Sequence, residues 1–459
     1  MASPPVLSPL GAGASGGALD VGRAPSMFSS LASRNFRLFF IGQLVSQVGN
    51  WVTLVASTLL VLHLTHNGLA VGLLGAAQFL PVLVIGPFAG LIADRSDKRR
   101  LLVFTQTLAL FQSLALAAIA FMPHPSVPGI YTVAFVRGII TAFDNPPRRA
   151  FVVEMVPERD VNNAVSLNSA MMTGARVFGP ALAGLLVTTV GYGWAFAVDA
   201  VSYLAVIAGL VAMRSAELRP SPVPPRGPGQ VREGMRYVRA TPELRLVVIV
   251  MAIVGTFAFN FSTVIPLFVT RTLHGSDAEF TILFSVISVG SVTGALVMAR
   301  RSVVSIRHVM IACLVFGAAM LVLAPIPNLA TSFPVAFLIG VASIAFMTTS
   351  TAVIQYRAAP EMRGRVLALQ TMVFLGSTPI GGPLLGAIID LSDARVGVAV
   401  GGVAALLAGV YGISALRRSG ITWSHDTRVA IPHEPPIAAI AEDLSNEADA
   451  EATGQVALV

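Results

Sequence analysis

A single cysteine and few charges define this chain of 459 residues by absence. The lone Cys313 allows neither a disulfide framework nor a thiolate metal site within one chain. Only 12% of residues are charged, against about 25% in ordinary soluble domains, while 55% are hydrophobic. Such a composition cannot give a water-facing surface of normal polarity, and it implies one that faces lipid. Seven histidines are scattered, mostly at the ends of apolar runs or in tails, with no carboxylate or cysteine cluster of metal or nucleophilic character beside them. No phosphate-cradling glycine loop occurs, so ATP is not expected to supply energy. Neither enzyme activity nor a cofactor is expected. The net charge of +7 could suit nucleic acid, but the placement of the basic residues argues for a topological role instead.

Twelve apolar stretches lie near 38–63, 70–92, 101–122, 128–147, 163–189, 194–213, 246–269, 278–299, 308–326, 332–355, 366–389 and 397–416. Each matches the roughly 20 helical residues needed to cross a hydrocarbon core of about 30 Å, and the runs lack the alternation of strands. Of the 30 Lys and Arg residues, 26 fall in segments that an even span number places on one side. That bias predicts both termini in the cytoplasm, with the bilayer as the surrounding partner and no nucleic acid. The expected division is a disordered tail at 1–35, a six-helix half at 36–213, a cytoplasmic linker at 214–245, a second six-helix half at 246–416 and an acidic tail at 417–459. The linker's proline-rich RPSPVPPRGPG reads as a tether and the following EGMRYVRATPELR as a short helix on the inner membrane surface.

The chain repeats itself weakly at a shift of 203 residues. Pro157 and Glu158 fall on Pro360 and Glu361, and Gly179 and Pro180 fall on Gly382 and Pro383. Parallel repeats of this kind are one way in which transporters are built.

GLIADRSDKRRLL, from Gly90 to Leu102, places Arg95, Lys98, Arg99 and Arg100 in a short turn between two apolar runs. It resembles the signature loop between helices 2 and 3 of the major facilitator superfamily of transporters, with Asp97 where the family usually has glycine. The resemblance implies an all-α integral membrane protein with twelve transmembrane helices in two pseudo-symmetric six-helix halves. It also implies a gating role for Gly90, Asp94, Arg95 and Arg99, Asp94 lying against the N-terminus of span 11. ARVFGPALAG, from Ala175 to Gly184, resembles the helix 5 motif of exporters that work as antiporters; Gly179 and Pro180 would bend or seal the interface, and Arg176 could meet an anionic substrate or a carboxylate of the other half.

Polar residues recur along single helix faces: Gln43, Gln47 and Asn50 in span 1; Arg137, Thr141 and Asp144 in span 4; Thr256, Asn260 and Thr263 in span 7. Such groups are costly against lipid and turn toward a cavity or toward neighbouring helices. In the facilitator fold spans 1, 4, 7 and 10 line the central cavity, which makes these residues the expected substrate cavity. Arg137 and Asp144, seven residues apart, are about 10 Å apart along the helix axis and so should pair elsewhere. The candidate partners are Asp199 for Arg137, and Arg148 or Arg149 for Asp144. Either acid could carry a proton whose binding releases a salt bridge, or each pair could be a permanent anchor.

RNFRLFFIGQLVSQVGNW, FDNPPRRAFVVEMVP, WAFAVDAVSYL and PEMRGRV resemble the subgroup of enterobactin exporters and macrolide or multidrug efflux proteins. This implies a monomeric inner-membrane exporter of small amphiphilic molecules, drug or siderophore, driven by proton antiport. An acid in span 1 or 7, frequent in drug antiporters, is missing here. A non-transporting sensor or scaffold, or a facilitator without proton coupling, stays open at this stage.

Overall fold

The computed structural model describes residues 28–219, 230–300, 303–418 and 429–430, together with all but a few side chains within them. Most of both tails and of the proline-rich tether lie outside these residues, as does the side chain of Asp94.

Among the described residues, twelve helical spans are long and apolar enough to cross a membrane. Six form the first half: α1 (Arg34–Thr65), α2 (Gly68–Arg95), α3 (Lys98–Ala120), α4 (Val127–Glu154), α5 (Val161–Thr189) and α6 (Tyr192–Val211). A short helix α7 (Gln230–Ala240) follows. The second half begins with a broken span, α8 (Pro242–Phe257) and α9 (Phe261–Leu267), and continues through α10 (Asp277–Ala299), α11 (Ile306–Leu323), α12 (Leu329–Arg357), α13 (Arg363–Leu391) and α14 (Ala394–Arg418).

Local chemistry sets the turns. His66 adopts a left-handed conformation that ends α1, and Asn67 caps α2 by accepting from the Ala70 N–H at 2.9 Å. Asp97 does the same for α3, accepting from the Arg100 N–H at 3.0 Å. The acid that departs from the family's glycine is therefore a helix cap. Ser276 and Glu279 form a reciprocal capping box on α10.

Three expected boundaries shift. Within the segment expected to be an N-terminal tail, residues 29–32 form a short 3-10 turn, which Ser29 and Ser30 tie to the start of α5 by donating to Asp160 and Asn163 at 2.8 and 2.7 Å. The seventh span starts at Pro242 rather than at 246, because proline suits the first helical position, where its missing N–H is not needed. Finally, α4 does not stop at 147 but runs through Pro146 and Pro147 to Glu154. The expected short linker helix is present as the amphipathic α7. Its Glu233 pairs with Arg365 at 2.7 Å, and its Tyr237 hydroxyl accepts from the Ala359 N–H at 3.1 Å, so it docks on the start of α13.

The two halves use the same packing scheme. In the first, α2 packs on α4, α3 on α4 and α6, and α1 on α5 and α6; in the second, α10 packs on α12, α11 on α12 and α14, and α8 on α13 and α14. Across the interface α2 meets α13 and α5 meets α10, which is one contact and its pseudo-symmetric counterpart. Lipid offers little hydrophobic drive for helix association, so close approach relies on small residues. At the α2–α13 crossing the backbones touch: a Cβ added at Gly382 would lie 3.1 Å from the Gly72 carbonyl oxygen.

Candidate functional site

Two features could do transport chemistry: a seal between the halves at one end, and a set of charges buried in the first half.

The seal lies at the end of the molecule opposite the termini. Asp390, near the end of α13, accepts from the Gly68 N–H at 2.7 Å and the Leu69 N–H at 2.8 Å, so it caps the N-terminus of α2 from the other half. Arg271 donates to Asp390 at 2.8 Å and also reaches the His66 carbonyl. The Tyr192 hydroxyl donates to Asp277 at 3.0 Å, joining α6 to α10. These are the hydrogen bonds found between described residues of the two halves. Gly184 of α5 packs against Thr281 of α10 so tightly that no side chain would fit.

Toward the tail end the same helices diverge. Gly86 follows Gly72 by 14 residues and Gly364 precedes Gly382 by 18, nearly whole turns in both cases, so each falls close to the interface face of its helix. Among the described residues, nothing lies within 4 Å of the place a Cβ would take at either one. Among the described residues, the interface is closed at the far end and, at these two glycines, parted toward the tail end.

Four helices of the first half meet at one acid. Asp199 of α6 is fully buried, and its Oδ2 accepts from Thr53 of α1 at 2.6 Å and Ser113 of α3 at 2.8 Å. Arg137 of α4 approaches the same oxygen at 3.8 Å. The guanidinium makes its shorter bonds to Asn50, at 2.7 Å to Oδ1 and 3.2 Å to the carbonyl, and the Tyr203 hydroxyl donates to the same Oδ1 at 3.1 Å. Asp199 Oδ1 has no hydrogen-bond partner among the described residues. This is a loose ion pair with spare capacity on the acid.

Asp144 differs. Its Oδ1 accepts from Thr105 at 2.7 Å and Gln106 at 2.8 Å, and its Oδ2 pairs with Arg148 one turn on. Lys98 and Glu154, at 2.7 Å, tie the same two helices, α3 and α4, nearer the tail end. Arg137 and Asp144 thus share a helix face yet belong to separate clusters, and Arg149 is exposed.

The remaining sequence candidates scatter. Asn50, Thr141 and Thr256 are partly exposed, whereas Gln43, Gln47, Asn260 and Thr263 are at most 6% exposed and sit in packing rather than on open cavity wall. Gln47 donates to Gln43 at 3.3 Å. The Thr256–Asn260–Thr263 face is not one continuous helix: the chain breaks at Ala258–Asn260, and the Asn260 amide donates to the carbonyls of Gly255 and Thr256 at 3.3 and 2.7 Å, which the break leaves free. Arg176 meets no carboxylate of the other half among the described residues. It lies over the Trp51 ring, 5.7 Å from its centre, and Trp51 in turn packs near Phe284 of α10. Gly179 is pressed against Trp51 as well, and Pro180 is buried beside it. Of the signature loop, Gly90 and Arg95 fall in the last turns of α2, where Arg95 is exposed. Arg99 turns to its own half, donating to the carbonyls of Leu210 and Val211 at 2.7 and 2.8 Å, where it caps the end of α6.

Residues 25–443 match the family described as transmembrane secretion effectors, within the major facilitator superfamily. The chain belongs to this family. Among curated relatives, the staphyloferrin A transporter of Staphylococcus aureus is 25% identical over 360 residues, covering 77% of this chain and 89% of that protein. Macrolide efflux protein A of Streptococcus pyogenes is 23% identical over 369 residues, covering 79% and 90%. Among solved structures, a bacterial homologue of the human lysosomal transporter Spinster, in an inward-facing and occupied conformation, superposes with a TM-score of 0.67 at 16% identity over 86% of this chain and 98% of that one. At that identity the likeness concerns the fold. The secretion-effector family thus supplies a multi-pass membrane setting and a transporter frame for the buried charges of the first half.

Several residues of this frame were not singled out from sequence. Asp390, Arg271 and Tyr192 sit at helix ends and look like ordinary loop polars. Thr53, Ser113 and Tyr203 are single hydroxyls in apolar runs, and only their convergence on Asp199 and Asn50 distinguishes them.

Proposed function

We propose that this secretion effector exports small amphiphilic molecules, drug or siderophore, from the cytoplasm by proton antiport with alternating access. The observation that carries the reading is the one-ended seal: halves joined at Asp390–Gly68 and parted at Gly86 and Gly364 make a compartment open on the tail side alone. With the basic residues cytoplasmic, as their bias implies, both termini face the cytoplasm, the membrane is the inner or plasma membrane, and this is the loading state of a monomeric exporter. The names of the relatives support siderophore and macrolide classes as first substrates to test.

In this reading Asp199 carries the proton. Asp199 stands 3.8 Å from its arginine and has one oxygen unbonded among the described residues, so it changes protonation at lower cost than Asp144, whose Oδ2 is in close contact with Arg148 while its Oδ1 accepts from Thr105 and Gln106. Protonation of Asp199 frees Arg137, and with it Asn50 of α1, the helix that packs against α5 and α9. Arg176 meets an anionic portion of the substrate, a reading supported by its position over Trp51 at the junction with α10. Asp94, with Gly90 and Arg95, is the counterpart latch that closes the tail end against α13 in the opposite state.

The test uses everted membrane vesicles carrying a proton gradient, a pH-sensitive dye, and macrolides, other amphiphilic drugs and catecholate siderophores added in turn. Proton release on adding a compound, absent from vesicles without the protein, supports antiport and names the substrate class. Uptake of labelled compound that is unaffected by collapse of the gradient would overturn the coupling.

A further inference from the structure

One buried amide has no evident task in holding the helices together. Gln112 of α3 is 5% exposed, and neither its Oε1 nor its Nε2 has a hydrogen-bond partner among the described residues. An amide buried without partners costs about 1–3 kcal/mol. Beside it lies a cavity of about 10 Å³, room for one water molecule. Its polar lining is Gln112, Thr53, Ser57, Gln78 and Arg137.

Two of these residues touch Asp199. Thr53 donates to Asp199 Oδ2, and Arg137 approaches the same oxygen. The acid itself is fully buried, so a proton reaches it only through its neighbours. The groups that face it are Thr53 and Gly49 from α1, Ser113 from α3, Arg137 from α4, and Ser202 and Tyr203 on its own helix, and among them only Arg137 and Tyr203 are ionisable. Gln78 of α2 also lines the cavity and, unlike the four other polar lining residues, is only half-buried, which makes it the rim.

We propose that this cavity holds a water molecule, fixed by the Gln112 amide, that relays protons between Asp199 and the rim at Gln78. The proposal rests on Asp199 as the proton carrier. On release, the Asp199 Oδ2–H bond breaks as its proton passes to the Thr53 oxygen. The Thr53 hydroxyl proton passes to the water, and the water yields one of its own, past Gln78, to solvent water, which carries it off as hydronium. Asp199 is left as a carboxylate facing Arg137, while Thr53 and the water are neutral as before. Nothing is oxidised or reduced. Gln112 does not titrate; it is a positioning residue.

Infrared spectroscopy of the purified full chain in nanodiscs tests this. The carboxylic C=O band lost in Asp199→Asn marks the acid, and its rate of hydrogen–deuterium exchange reads the route. The expected result is exchange slowed roughly tenfold in Gln112→Leu, equivalent to about 1.4 kcal/mol at the barrier. Gln78→Leu slows it as well, and this variant decides alone if Gln112→Leu does not fold. Wild-type exchange rates in the folded variants overturn the relay and leave Asp199 as carrier. Absence of any titrating band assignable to Asp199 overturns the carrier and the relay together.

Discussion

Arg271 and Asp390 form an ion pair at 2.8 Å within the second half, yet both also bond to the first half, at His66 and at Gly68 and Leu69. Their pairing is therefore also a clamp across the interface. The Asp390 side chain is 21% exposed, so water weakens the clamp without dissolving it.

Asp390→Asn is expected to shift the balance away from the far-end-closed state by about 1–2 kcal/mol, roughly a 5- to 30-fold change in the ratio of states. Spin labels at Val190 and Leu391, exposed positions on opposite halves at that end, would report a second, longer distance. An unchanged distance distribution would mean that packing alone holds the seal.

Asp199→Asn and Asp144→Asn should separate function from stability. The first is expected to insert and fold, to bind substrate and to lose gradient-driven flux. The second leaves Arg148 buried without its acid, which costs about 3–5 kcal/mol when one partner of a buried pair is removed. Thermal unfolding in detergent, set beside flux in vesicles, checks both.

A side chain at the α2–α13 or α5–α10 crossing should wedge the far end apart. Gly184→Val would strike Thr281 directly. The expected outcome is a protein that inserts normally, shows a longer Val190–Leu391 distance and transports nothing. Retained flux would show that the crossing is softer than its geometry implies.

Arg99→Gln distinguishes the signature loop's two possible uses. Because Arg99 caps α6 within its own half, the variant should lose about 1–3 kcal/mol of stability through the unmet carbonyls of Leu210 and Val211. The distance between states at the far end should not change. A changed distance with unchanged stability would return Arg99 to the gate.

The spans, their number and the two-fold repeat were legible because each rests on local pattern: an apolar run long enough to cross, basic residues flanking it, Gly-Pro pairs at matching places. The partner Asp199 for Arg137 could also be named, and Asp144's narrowed to Arg148 or Arg149, of which the structure shows Arg148, since an isolated charge in an apolar run needs a countercharge at membrane depth. Burial of Asn260 and Thr263 was not legible, because periodicity assumes an unbroken helix and the break at Ala258–Asn260 rotates the face. Asp390 was missed for a related reason. Its role depends on a helix N-terminus 322 residues away in the chain, and no spacing rule carries that distance.

The contact between Leu83 and Gly376, where an added Cβ would come within 2.9 Å of the leucine, marks mid-depth on the α2–α13 pair. If the halves rock about this point, α2 works as a lever: about 22 Å long toward Gly68 and about 18 Å toward Arg95, from its rise per residue. A swing of roughly 20° would then move either tip by some 6–8 Å on that geometry, while groups beside the pivot hardly move. A substrate seated at that depth could keep its bonds throughout the stroke, and the work of the cycle would be concentrated at the two rims.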